Sequence, residues 1–472
     1  MAATQIGIYD ARKQLGMGPT VLLGLQHVFA MFGATVLVPL LTGLSVSVTL
    51  FCAGVATLWF HFVTKGKVPI FLGSSFAFLG AFASVANGNP ELLPYATGGI
   101  VCAGGIYVIL AVLIYVFGVK RVMTLFPPVV TGPIIILIGV NLAYSALNNV
   151  ISNSVQFIWG KTLEEGNYLN QIPVVSNGFP VGTATPYAFV IAIVTILAVM
   201  ICSIWGKGMM KILPILIGII VGYVFAIIWG NVLHMAPPIE FKNLLVHNAS
   251  EVPGALNVGN AFFALPPFHL PKFEPSAIIT FVVVALAAMI EHIGDVAAIG
   301  ATCGKNFIKD PGLSRTLIGD GIGTSLAGLI GGPANTTYSE NTGVVALTGV
   351  YDPFVLRIAA LVAIALSVFP VVDNFISTIP NEVIGGISFI VYGMISAVGL
   401  RNLVENRVDF SKARNVLVAA IILVSGLAFN YFPIVFRLSQ NTGLSFSGLA
   451  CAAVFGIVLN AVLPGKDYEF QD

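Results

Sequence analysis

The chain is predicted to be an all-α polytopic membrane protein, with fourteen transmembrane segments in a 7+7 inverted repeat and two short strands preceding half-helices 3 and 10. Three observations predict this. Of its 472 residues, 57% are hydrophobic and only 9% charged, a balance outside that of water-soluble globular chains. Apolar stretches such as "IAIVTILAVMICSIWG" and "ILPILIGIIVGYVFAIIWG" recur along the whole length, each long enough to carry a helix across a hydrocarbon core of ~30 Å. Barrel strands would show a much weaker, alternating pattern. Finally, two interrupted apolar segments fall at corresponding positions in the two halves.

In chain order, the expected spans are residues 20–42, 45–64, 75–88, 97–118, 128–147, 185–204, 212–230, 276–299, 314–331, 339–350, 355–373, 384–400, 415–432 and 445–463. The first, "VLLGLQHVFAMFGATVLVPLL", carries Gln26 and His27 and has no small-residue cleavage site after it. It is too long for a signal-peptide core and reads as a retained span. Orientation follows from the cations. With the N-terminus inside, only Lys161, Lys242, Lys272 and Arg437 of the 21 Lys and Arg residues fall outside. A missed or invented span would reverse every later loop, so this asymmetry supports the count and sets both termini in the cytoplasm.

The segments near 68–88 and 332–350 are too short, and too polar at their starts, to span as plain helices. Each opens on an extended-looking piece, "VPIFLGSS" or "PANTTY", rich in residues that favour strands or caps, and then turns helical. They read as broken helices. The halves match beyond them. "LQHVFAMFGATV" from Leu25 echoes "IEHIGDVAAIGA" from Ile290, "GSSFAF" from Gly73 echoes "NTTYSE" from Asn335, and "FPPVVTGPIIILIGV" from Phe126 echoes "IPNEVIGGISFIVYG" from Ile379. Seven spans per half is an odd number, so the second half enters from the opposite side.

Several function classes are disfavoured. The five cysteines stand singly in apolar surroundings, with no disulfide framework and no zinc spacing. A net charge of +1 gives no case for a nucleic-acid partner. No phosphate loop, nucleophile with base or metal cluster is present, so neither an enzyme nor a cofactor is expected.

The chemistry lies in acids inside the membrane. Glu291, Asp295, Asp320 and Glu340 are the carboxylates of the chain that fall well within spans. An ionised carboxylate in hydrocarbon costs several kcal/mol, so each must face a cavity, pair with a neighbour or be protonated. Glu291 and Asp295 are four residues apart in "EHIGDVAAIG", which puts both on one helix face, a turn apart. Two like charges that close compete for a proton, so the pair can take one up and release it. Glu291, Asp295, Glu340 and Asp320 together are the expected proton-coupling set. His292, on a different face, and His27 read as structural. The broken helices supply complementary groups. A helix that starts in mid-membrane has unpartnered N-H groups and a positive dipole end, which bind carbonyl oxygens or anions. Ser74, Ser75 and Phe76 mark one such start, and Thr336, Thr337, Tyr338 and Ser339 the other; their hydroxyls read equally well as helix caps. Carboxylate acceptors, backbone donors and the aromatic faces of Phe76 and Tyr338 together suit a planar heterocycle with alternating N-H and C=O groups.

These residues carry a resemblance to the nucleobase-ascorbate transporter family, and within it to the bacterial uracil permease branch. It runs from "LQHVFAMFGATVLVPLL" through "GKVPIFLGSSFAF" and "EHIGD" to "NTTYSENTGVVALTG". The last contains the family signature, an acidic, Gln or Pro residue followed by Asn-x-Gly-x-x-x-x-Thr, here Glu340, Asn341, Gly343 and Thr348. The resemblance implies a core domain (20–118 and 276–373) and a gate domain (119–230 and 374–463). It also implies an N-terminus over 1–19, an extracytoplasmic loop over 231–275, a tail over 464–472, a homodimer in the cytoplasmic membrane, and proton-driven nucleobase uptake. It makes Glu291 and Glu340 the substrate-binding acids, Phe76 and Ser339 the backbone contacts to ring carbonyls, and Tyr392, in "FIVYGMI", a gate residue over the substrate. Glu at the head of the signature is similar to uracil carriers. Two departures point elsewhere. Asp295 stands where uracil permeases usually have His, and an Asp there, like Asp320, is more typical of xanthine and urate carriers. Ser339 also replaces a usual Gly. A purine symporter is therefore the first alternative, and an anion exchanger on the same fold the second.

Overall fold

The computed structural model describes residues 7–465 apart from 87, 124–126, 152–156, 159–160, 163–173, 177–178, 182–185, 242–243, 247–249, 261, 432–433, 438–442 and 447. The chain begins with a short helix α1 (Ala11–Leu15), then α2 (Met17–Thr42) and α3 (Val46–Val63). Strand β1 (Leu72–Ser74) leads through a 3-10 turn into the half-helix α4 (Leu79–Val85). Next come α5 (Leu93–Phe117), α6 (Val119–Met123) and α7 (Pro128–Ile151). Two small hairpins follow, β2 (Phe157–Ile158) with β3 (Lys161–Thr162) and β4 (Val174–Ser176) with β5 (Phe179–Val181). The first half ends with α8 (Pro186–Trp205), the four-residue α9 (Met209–Ile212) and α10 (Pro214–Ile227).

The second half opens with α11 (Pro275–Cys303) and α12 (Leu313–Leu329). Strand β6 (Asn335–Thr337) then leads into the half-helix α13 (Ser339–Thr348). After it come α14 (Pro353–Leu366), α15 (Pro370–Ser377), α16 (Asn381–Glu405) and α17 (Ala413–Tyr431). A hairpin of β7 (Ile434–Arg437) and β8 (Gly443–Phe446) precedes α18 (Gly448–Val462). The boundaries have local causes. The Ser45 hydroxyl caps α3 through Val48 N-H, and Asp352 caps α14 through Phe354 N-H. Gly43, with φ +79°, ends α2 in the left-handed conformation that only glycine takes cheaply.

Among the described residues, seven helices are long and apolar enough to cross a membrane, or eight if the bent pair α14 and α15 counts as one. That pair differs from the sequence expectation of one span over 355–373. Phe369 is extended ahead of Pro370, as the residue before proline prefers to be, and the chain turns by 83° there. The hairpins within 157–181 and 434–446 were also not anticipated, although "VVSNGFPV" carries the Asn-Gly dipeptide typical of tight hairpins. Phe126, where the third repeat match begins, Lys242, residues 1–6 and residues 466–472 of the expected tail lie outside the described residues.

The helices form two groups. In one, α5 and α3 pack along α12, α14 along α2 and α3, and α11 along α5; in the other, α7 packs along α16, α8 along α10 and α16, and α17 along α18. The groups meet where α2 touches α10, α13 touches α9, and α11 touches α7 and α18. Lipid tails give helices no hydrophobic reason to associate, so close backbone approach at small residues holds such groups together. A Cβ on Gly104 of α5 would run into the Gly321 carbonyl of α12, and one on Gly321 into Tyr107. Gly321→Val is therefore expected to destabilise the fold by about 1–3 kcal/mol or more, read as a lowered apparent melting temperature in detergent, whereas Gly105→Ala, with open space at its Cβ, should leave it unchanged.

Candidate functional site

The site is built around a two-stranded ladder. β1 and β6 pair antiparallel with Leu72 opposite Thr337, Gly73 opposite Thr336 and Ser74 opposite Asn335. Tyr338 N-H extends the ladder to Phe71 O at 3.0 Å, and Ser75 N-H extends it to Ala334 O at 2.8 Å. The half-helices α4 and α13 thus leave from opposite ends, and their N-termini both start at the ladder. Backbone groups pointing outward from the two strands need partners, because buried ones cannot rely on water. Hydroxyls on neighbouring helices supply them. Thr57 of α3 donates to Leu72 O (3.1 Å) and accepts from Leu72 N-H (2.9 Å). Thr324 of α12 donates to Asn335 O (2.7 Å). In the other direction, the Ser74 hydroxyl of β1 donates to Thr35 O on α2 (3.0 Å).

The four intramembrane acids divide into two settings. Glu291 is exposed on α11 and within electrostatic reach of Glu340 and Asp320. Asp295, a turn further along, is partly buried and accepts from the Thr337 hydroxyl at 2.7 Å. Glu340 lies in the first turn of α13, half-buried, beside exposed Ser339. Asp320 is different: it is fully buried in α12, with Oδ2 2.8 Å from His292 Nδ1, itself fully buried. Asp320 and His292 therefore join α12 to α11 beneath the site.

A cavity of about 420 Å³ opens where the two helix groups meet. Ser339, Glu340 and Gly343 of α13 line it together with Ala30 and Gly33 of α2, Lys211 and Ile212 of α9, Leu216 of α10 and Met394 of α16. Of the residues expected at the site, this cavity gathers Ser339, Glu340 and Gly343. Phe76 is half-buried at the start of the opposite half-helix, while Ser75 and Tyr392 are buried. Tyr338 faces inward: only 4% exposed, it donates its hydroxyl to Ser74 O at 2.8 Å, so its ring belongs to the packing behind the ladder. Asn341 and His27 are joined. The Asn341 amide donates to His27 O and lies 3.1 Å from His27 Nδ1, fixing α13 to α2. The Thr337 contact to Asp295 and the place of Lys211 in the cavity lining were not anticipated. Lys211 is an ordinary loop cation in the sequence, and nothing there marks it out.

A second cavity of about 430 Å³ lies beyond the C-terminal end of α2, lined in part by Ser45, His269 and Asp373. Its Asp373 carboxylate already accepts from the Ser45 and Ser47 hydroxyls at 3.3 and 3.1 Å, and the intramembrane acids are elsewhere. Among the described residues no cluster of His, Cys, Asp or Glu is arranged to hold a metal.

Apolar spanning helices in two groups, with acids and a half-helix N-terminus at their seam, define a multi-pass membrane transporter rather than an enzyme. The chain matches the Permease family over residues 18–434. It is 36% identical over 466 residues to the uracil permease of Bacillus caldolyticus, covering 97% of this chain and 95% of that one. The uracil permease of Bacillus subtilis (strain 168) is also 36% identical, over 480 residues and 98% of each chain. That of Escherichia coli (strain K12) is 33% identical, over 94% of this chain and 91% of its own. The chain belongs to the Permease family, as the signature at Glu340 led one to expect. In fold it is similar to the transmembrane domain of a cyanobacterial bicarbonate transporter, BicA, with a TM-score of 0.59 at 16% identity over 96% of this chain and 99% of that one. It is likewise similar to SLC26A9, with a TM-score of 0.60 at 12% identity over 96% of this chain and 66% of that one.

The link between Asn341 and His27 yields a stability test. Asn341→Ala leaves His27 buried without its partner, which is expected to cost about 1–3 kcal/mol and to lower the apparent melting temperature in detergent. His27→Ala in the same background should add less than it does alone, because the two side chains act as one unit. Additive losses would contradict the link.

Proposed function

We propose that the protein is a proton-coupled symporter that imports a nucleobase, uracil first, across the cytoplasmic membrane by alternating access. The observation that carries the reading is Glu340 in the first turn of a half-helix, lining a cavity between two helix groups, with Glu291 in electrostatic reach. The full-length relatives named uracil permease support the substrate class. Fourteen spans in a 7+7 inverted repeat, both termini cytoplasmic and a homodimeric assembly belong to the same proposal, and the pairing of β1 with β6 between the halves supports the repeat. The helix group around α12 is then the core, over 20–118 and 276–373. The group around α16 is the gate, over 119–230 and 374–463.

In this reading Glu291 and Glu340 accept from the ring N-H groups. The backbone N-H groups at Phe76 and Ser339 donate to the ring carbonyls, as helix starts do. Ser75 and Tyr338 stand immediately ahead of the two starts, next to the bound base, and Tyr392 belongs to the gate face opposite them. A proton enters from outside onto the carboxylates, with Glu291, Asp295 and Glu340 as its carriers. Base and proton then cross together as the core moves against the gate. Asp320, paired with His292, acts through α11, whose face it supports.

A purine is the second reading, because Asp295 adds a carboxylate where the uracil branch usually has His. Uptake of radiolabelled uracil into a transport-deficient host, with and without a protonophore, tests the proposal. Uptake should collapse with the protonophore, and indifference to it rules out proton coupling. Glu291→Gln or Glu340→Gln should abolish concentrative uptake at normal expression. Asp295→His should weaken competition by xanthine relative to uracil; unchanged competition would remove Asp295 from substrate choice.

A further inference from the structure

Lys211 is the one cation, and Glu340 the one carboxylate, among the described residues lining the 420 Å³ cavity. They come from opposite sides of the seam, Lys211 from α9 and Glu340 from α13. Contact between those elements is direct: the position of a Cβ on Gly343 is 3.6 Å from the Ile212 side chain, and Gly343 is one turn after Glu340 on the same helix face. A second contact fixes α9 nearby, where Gln26 Nε2 of α2 reaches Met209 Sδ at 2.7 Å.

The other titratable groups around α13 are engaged or of the wrong sign. From α2 there is His27, buried and joined to Asn341. From α11 there are Glu291 and Asp295, both acids; His292, which faces Asp320; and Cys303, a buried thiol at the far end that carries no positive charge in either protonation state. Lys211 is thus the positive charge that α9 brings to this cavity.

Building on the symporter reading above, we propose that Lys211 is the counter-charge Glu340 meets when the site is empty and open to the cytoplasm, and that it speeds the proton-free return of the carrier. The physical logic is electrostatic. Once the base has left, Glu340 must give its proton to water in the cavity before the empty carrier resets. An ammonium across a partly wet cavity favours the charged, proton-free carboxylate. When the core moves outward, α13 leaves α9 and the favour ends, so proton release is promoted on one side only.

Net uptake and counterflow in proteoliposomes separate this role from a structural one. Net uptake includes the empty return, whereas counterflow of external labelled uracil against internal unlabelled uracil cycles the loaded carrier and skips it. Lys211→Gln should lower the maximal rate of net uptake by roughly two- to fivefold, the scale of a partly screened interaction between charges across a cavity, while counterflow keeps its wild-type rate. Lys211→Arg should restore net uptake, and Lys207→Gln, outside the cavity lining, should leave both unchanged. Equal net uptake in Lys211→Gln and wild type, or counterflow falling in step with net uptake, would overturn the role of Lys211. Absence of uracil counterflow in the wild type would instead overturn the nucleobase reading on which it rests.

Discussion

Everything at the site depends on how two broken helices satisfy their backbones inside a bilayer. An unpaired N-H or C=O in hydrocarbon costs several kcal/mol, so a helix that stops in mid-membrane survives only if another segment completes it. Here β1 and β6 complete each other across the two halves of the sequence, Thr57 of α3 and Thr324 of α12 satisfy outward-facing backbone groups, and the Ser74 hydroxyl ties β1 to α2. The free ends that remain are the starts of α4 and α13. The candidate site thus has a structural origin: the N-H groups at those two starts are the ones the proposed base would meet.

The acids can be understood against that frame. Glu340 belongs to the first turn of α13, where the helix dipole favours its charge. Asp295 is oriented by a hydroxyl from the ladder itself, through Thr337. Asp320 and His292 are fully buried and face one another. Glycines let the helix that carries Asp320 lie directly on α5. Chemistry and packing are therefore layered, with the exposed carboxylates toward the seam and the closed pair behind them.

Much of this was legible in the sequence because the bilayer imposes a simple rule on composition. The scarcity of charge made Glu291, Asp295, Asp320 and Glu340 conspicuous, and the polar starts "VPIFLGSS" and "PANTTY" marked the breaks. What was not legible depends on three-dimensional closure. Tyr338 looked like a stacking face, but side-chain direction at the end of a strand is set by register, and it points to Ser74. Lys211 looked like a loop cation, since nothing local says that α9 folds against α13. The bend at Phe369 was hidden by an apolar run that continues through Pro370. The fold neighbours teach a related lesson. BicA and SLC26A9 share the architecture at 16% and 12% identity, so architecture alone does not choose between anions and bases.

The choice falls to the site, and ligand-dependent thermal stabilisation of the purified protein in detergent tests it most directly. Two carboxylates and two helix starts are expected to hold a neutral planar base with alternating N-H and C=O groups, so uracil should raise the apparent melting temperature while bicarbonate and sulfate leave it unchanged. Stabilisation by bicarbonate or sulfate and none by uracil would contradict the account.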